Sequence, residues 1–399
     1  MNPRSSYRIS LSTVFSALML LPRSSFAYAA YCLTPLLMCL SLRSVVFSII
    51  VTIVLVLQYL LASSFWYLSP GAFAIELALT LPFFLAMSGF QLSWGITPIA
   101  LMRRLNLFIA ILSMLSFVDN GFPARLPYVD FLPDEYHAAF GLGGAKIVTI
   151  VGFFGLIFEL NKSRTLSVWF FICALNFLAP SYVLGIMVGL VGLAMFLLRD
   201  FRLFLVGIVI AAVIFPYIVF RFESLNSEFI SSLGMHPKLY QFLNVLHIWR
   251  EHFPDFLTGA GLGQFTGEAA QWSSPSPEVF SSARIPNVPG MFAGEPHLFL
   301  HHNLISYFTD SRFSLESSAN KPFSSITTLI VEIGFIQTLA IFGYFILITV
   351  RKHGRRVFST GILAFVFLVC LVDSWHNSPW FALCLICFNS LSRKDSDVS

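Results

Sequence analysis

The side chains best equipped for chemistry collect in one polar stretch, residues 221–324, flanked on both sides by apolar runs. It holds six of the nine histidines, His236, His247, His252, His297, His301 and His302, together with Arg221, Arg250, Arg284 and Arg312. An imidazole with a pKa near ~6.5 can take a hydroxyl proton at ambient pH, so His301 or His302 is a candidate general base; the other reading is a surface histidine. His297 and His301, four apart, would share one helical face and suggest a metal pair. A clear third ligand and the glutamate of a zinc protease motif are missing, so no metal is assigned.

The arginines suit an anion. A helix beginning at Pro237 and running to about His252 would project Leu239, Leu243, Leu246 and Arg250 from one side. A guanidinium on an apolar face either meets a phosphate or an acidic partner, or snorkels to water from an interfacial helix. Arg221 follows an apolar run directly. It would anchor in lipid headgroups or hold a fork of donors at the level where a lipid-linked diphosphate leaves the bilayer. Arg284 interrupts a Ser-, Pro- and Gly-rich segment from Trp272 to Pro296, the composition of a loop that covers a site, and joins the candidate substrate contacts. Between these arginines, Thr258-Gly259-Ala260-Gly261-Leu262-Gly263-Gln264-Phe265 alternates glycine with other residues. Gly261 and Gly263 would let the backbone approach a ligand closely, or would simply make a turn. No lysine follows at P-loop spacing, so nucleotide binding is rejected.

The elements that position these groups are apolar helices. The chain has 399 residues, 57% hydrophobic and 11% charged, a net charge of +4 and a mean hydropathy of +0.79. That composition indicates an all-α polytopic membrane protein, because the apolar runs are continuous rather than alternating. Spans are expected at about 9–21, 25–42, 45–64, 72–90, 105–118, 144–160, 166–179, 182–198, 201–220, 325–349, 357–373 and 378–391, roughly twelve helices. The first could be a cleaved signal peptide, since Ala27-Tyr28-Ala29-Ala30 follows it; Arg23 and the immediate second apolar run favour an uncleaved helix.

Starting inside, Arg43, Arg103 with Arg104, Lys162 with Arg164, Arg199 with Arg202, the basic run Arg351 to Arg356, and Arg393 with Lys394 all fall in cytoplasmic turns, as the positive-inside rule requires. The long polar interval then lies outside. The organisation expected is an N-terminal transmembrane bundle at 1–220, a large external loop at 221–324, and C-terminal transmembrane helices with a short tail at 325–399. Pro35, Pro82, Pro180 and Pro216 are positions that kink or end helices. Glu76 and Glu332 fall within apolar runs, and the cost of a charge in lipid turns both toward the bundle interior or a polar cavity; Glu332, within reach of the external side, joins Arg221, Arg250, Arg284, Gly261 and Gly263 as a candidate substrate contact. All six cysteines lie in apolar segments, which argues against a disulfide framework; Cys384 and Cys387 form a CxxC read as two small apolar residues. External acids offset the arginines, so nucleic acid is not an expected partner.

Arg221, then Trp249-Arg250 with Phe253-Pro254, Leu257 and Gly259-Ala260-Gly261-Leu262-Gly263, and later Glu332-Ile333-Gly334, occur in an order that resembles the bacterial O-antigen polymerase and O-antigen ligase superfamily. The resemblance covers about residues 200–350. It departs at one point: family ligases often place a His-Asn pair shortly before Glu-x-Gly, whereas His302-Asn303 lies about two dozen residues earlier. The resemblance implies a GT-C-like membrane-embedded glycosyltransferase of lipopolysaccharide biosynthesis in the bacterial inner membrane, with the large loop periplasmic. It would need neither metal nor other cofactor. The partners implied are an undecaprenyl-diphosphate-linked oligosaccharide, the lipid bilayer, a chain-length regulator and a flippase. Arg221 and Arg250 would hold the diphosphate and His301 or His302 would deprotonate the acceptor hydroxyl. A polymerase is the first reading and a ligase to lipid A core the second. A flippase for lipid-linked oligosaccharides is the rival class; the concentration of His and Arg in one external loop, rather than at mid-membrane, weighs against it.

Overall fold

The computed structural model describes residues 13–21, 25–63, 70–119, 144–162, 167–180, 182–198, 257–265, 324–353 and 357–391. Among them every regular element is a helix. The helices are α1 (Ser25–Met38), α2 (Leu42–Ser63), α3 (Pro70–Met87), α4 (Pro98–Asp119), α5 (Gly144–Lys162), α6 (Val168–Leu178), α7 (Val183–Leu198), α8 (Ser325–Ile333), α9 (Phe335–His353), α10 (Val357–Val372) and α11 (Pro379–Ser390). Five of them, α2, α3, α4, α5 and α9, contain a stretch long and apolar enough to cross a membrane. Residues 13–19, within the expected first span, are also helical, while the expected span 201–220 lies outside the described residues.

The helices divide by what surrounds them. On α5 the run from Gly144 to Glu159 is mostly buried, and on α11 every residue from Pro379 to Asn389 is. These two form the centre, with α5 against α6, α10 against α7, and α11 against α3 and α1. Aromatic rings fill the space between them: Phe153 of α5 stacks on Phe365 of α10 with centroids 3.7 Å apart, and Phe83 of α3 stacks on Phe381 of α11 at 6.3 Å. By contrast α2 and α9 turn aliphatic side chains outward, Ile49, Ile53, Leu57, Leu60 and Leu61 on one and Ile336, Leu339 and Leu347 on the other. An exterior of branched aliphatics around a packed aromatic centre is what a lipid-facing surface requires.

Two expectations need correction. The single span at 325–349 is two helices, α8 and α9, divided at Gly334, whose φ of +91° no continuous right-handed helix accepts. The fifth span begins at Pro98 rather than near residue 105, so Arg103 and Arg104 are helical residues and not part of a turn. Arg103 stays there because it is neutralised: Nε and Nη2 donate to the two carboxylate oxygens of Glu159 at 2.6 and 2.7 Å, and its guanidinium lies 5.4 Å from the centre of the Trp169 ring. Proline acts as expected at Pro180, just beyond α6, while Pro35 and Pro82 are accommodated inside α1 and α3. All six cysteines are free thiols buried in the packing.

Candidate functional site

Glu76 and Glu332 are both fully buried, facing the interior as the cost of a charge in lipid demands. What receives Glu332 is the glycine turn. Gly259, Gly261 and Gly263 have φ of +88°, +104° and +77°, so alternate residues sit in the left-handed region and the backbone curls until several N–H groups converge. Gly263 N–H donates to Oε2 of Glu332 at 2.9 Å, and Phe265 N–H donates to Oε1 at 3.0 Å. The same turn caps the helix: Ala260 and Gly261 donate their N–H groups to the carbonyls of Val331 and Glu332, at 2.8 and 2.9 Å. Those carbonyls belong to the last turn of α8, which has no intrahelical donor for them.

Neighbouring helices hold the turn in place. Gln58 of α2 donates Nε2 to the carbonyls of Glu332, at 3.1 Å, and of Thr258. Gln337 of α9, with its amide turned to donate, reaches the carbonyls of Leu257 and Ile333 at 3.1 and 3.0 Å. There is no room for a side chain: a β-carbon at Gly263 would stand 2.6 Å from the Ala72 carbonyl oxygen and 2.9 Å from Cβ of Glu76.

The other end of α8 anchors the loop between α10 and α11. Ser324 is its N-cap, accepting from Thr327 N–H and donating to the Cys370 carbonyl. Ser325 receives the N–H groups of Trp375 and His376 on its Oγ, at 2.5 and 3.1 Å, and donates its own N–H to the Asp373 carbonyl at 3.0 Å. Asp373, buried, accepts on Oδ2 from Lys146 Nζ at 2.8 Å and Tyr182 OH at 2.7 Å, and on Oδ1 from Ser374 N–H at 2.8 Å. The loop so fixed directs His376 at Glu76, with Nε2 3.3 Å from Oε1. One ligand-type atom from each of Glu76, Glu332 and His376 lies within 4.8 Å of the others, all three buried.

Against family models, curated proteins and solved structures, the chain matches none.

Of the residues singled out from the sequence, Gly261, Gly263 and Glu332 are brought together, and Glu76 joins them. Arg221, Arg250, Arg284, His301 and His302 lie outside the described residues, as do His297 and the helix expected from Pro237. Asp373 and His376 were not singled out at all. The signal was Asp373-Ser374-Trp375-His376-Asn377, a polar pentapeptide wedged between two apolar runs and readable only as a short turn. Chemically, the arrangement presents two carboxylates and an imidazole at one point inside the bundle, beside a second, neutralised group of Asp373, Lys146 and Tyr182.

Proposed function

We propose that this chain is a membrane glycosyltransferase of the O-antigen polymerase type, transferring an undecaprenyl-diphosphate-linked glycan to the next lipid-linked repeat unit at the periplasmic face of the bacterial inner membrane. In this reading the chain has about twelve spans and residues 221–324 form the periplasmic loop. The observation that carries the proposal is the clasp between Gly259–Gly263 and Glu332-Ile333-Gly334. These two stretches bear the resemblance, and they are one structural unit in which the carboxylate and the turn determine each other's position.

The chemistry then needs no nucleotide. The lipid diphosphate is its own leaving group; Arg221 and Arg250, with Arg284, would stabilise the charge that develops on it, and His301 or His302 would accept the proton of the acceptor hydroxyl. The test uses the purified full chain and an undecaprenyl-diphosphate-linked repeat unit, with product length as readout. A glycan ladder from the wild type that disappears with Arg250→Ala supports the reading. Failure to extend, with transfer restored by a lipid A core acceptor, replaces polymerase by ligase.

One observation favours a second reading, a transporter for lipid-linked oligosaccharides. Glu76, Glu332 and His376 converge inside the bundle beside a helix broken at Gly334, and buried polar groups next to interrupted helices are how transporters build substrate and ion sites. Translocation of a fluorescent lipid-linked oligosaccharide across proteoliposomes, without glycan extension, would select it.

A further inference from the structure

We propose that Glu76, Glu332 and His376 form a binding site for a divalent transition ion of the zinc or manganese class. The three residues come from elements far apart in the chain, α3, α8 and the loop between α10 and α11, yet their ligand atoms meet within 4.8 Å. The second observation is His376 itself. It is fully buried; Nε2 faces the Glu76 carboxylate at 3.3 Å, yet among the described residues neither ring nitrogen makes a hydrogen bond. A buried imidazole ordinarily donates at least once, and an ion between His376 and the two carboxylates would give Nε2 a partner.

One edge of the triad has the length an ion requires. Donors on a tetrahedron with metal bonds of ~2.0–2.1 Å lie about 3.3–3.4 Å apart. The edge from His376 Nε2 to Glu76 Oε1 is 3.3 Å, already that length. The carboxylate of Glu332 is oriented by the N–H groups of Gly263 and Phe265, one on each oxygen. Outer contacts of this kind aim a ligating carboxylate. One imidazole with two carboxylates selects zinc or manganese, since magnesium and calcium favour all-oxygen shells. Three protein ligands leave a fourth position for water or substrate. The ion would tie α3 to α8 and, through Glu332, hold the glycine turn. This inference stands apart from the glycosyl-transfer reading, whose leaving group is assigned to arginines.

The test is metal content of the tag-free, detergent-purified chain, stripped with chelator, equilibrated with zinc or manganese sulfate and dialysed. The wild type should retain about one equivalent, and His376→Gln and Glu76→Gln should each lower affinity more than ~100-fold, beyond the roughly 10–100-fold that loss of an outer contact costs. No retained ion in the wild type, or undiminished binding in both variants, overturns the proposal. Two spectra of the wild type make the test independent of how the variants fold. Pulsed EPR of the manganese form should show coupling to an imidazole nitrogen, and its absence overturns the assignment. The cobalt form should lack the thiolate charge-transfer band, and the presence of that band assigns the ion to buried cysteines instead.

Discussion

Gly263 donates its backbone N–H to the carboxylate of Glu332 at 2.9 Å across 69 residues of sequence, so the glycine turn and the end of α8 form a single unit. The turn exists in this shape because the carboxylate gathers its N–H groups, and the carboxylate is tolerated in an apolar bundle because the turn receives it. Each half would be costly without the other.

Removing that carboxylate should therefore destabilise the fold more than an ordinary surface change. Glu332→Ala leaves the Gly263 and Phe265 N–H groups without this acceptor, at ~1–3 kcal/mol for each buried group left unsatisfied. Glu332→Gln retains one acceptor oxygen and should lose about half as much. Thermal unfolding in detergent reads both; equal melting temperatures for wild type and Glu332→Ala would show that the clasp contributes nothing.

The turn's backbone makes a sharper demand. Gly263→Ala adds roughly 1–2 kcal/mol of left-handed strain and drives its β-carbon to 2.6 Å from the Ala72 carbonyl oxygen. The expected outcome is little folded protein by fluorescence-detected size exclusion. Gly343, within α9, has open space where a β-carbon would go. Gly343→Ala should be neutral or stabilise by about 0.5–1 kcal/mol, which separates local geometry from a general intolerance of substitution.

Lys146, Asp373 and Tyr182 should behave as one network. Asp373→Asn leaves the Lys146 ammonium without its charged partner, and because Lys146 is partly exposed the loss should be about 1–3 kcal/mol rather than a full buried-charge penalty. Lys146→Met combined with Asp373→Asn should cost less than the two single changes summed, because the second change removes the group the first one stranded. Strict additivity in unfolding free energy would mean the ion pair is energetically idle. Tyr182→Phe should cost about 1 kcal/mol, the worth of one buried hydrogen bond.

At the Arg103–Glu159 pair, Arg103→Lys keeps the charge but loses the two-pronged fit and the stacking on Trp169. A loss of roughly 1 kcal/mol is expected, and Arg103→Ala should lose more because Glu159 is buried. If Arg103→Lys melts like the wild type, charge alone accounts for the contact.

Much of this was legible in the residues alone. Continuous apolar runs require helices, because a backbone in lipid must satisfy its own hydrogen bonds, and among the described residues the apolar helices stand where those runs do. Glu76 and Glu332 had to face inward for the same reason that any charge avoids hydrocarbon, and alternate glycines had to bend the chain between Gly259 and Gly263. Those inferences depend on properties of single residues or of near neighbours. What the turn receives, which loop carries a histidine to Glu76, why Arg103 can lie inside α4 and where α8 gives way to α9 are decided elsewhere. Glu332 meets Gly263, Asp373 meets Lys146 and Tyr182, and His376 meets Glu76 only when the helices pack. Hydrophobic periodicity records which face of a helix is buried, but not which distant segment will be buried against it, and these partnerships were settled by tertiary packing.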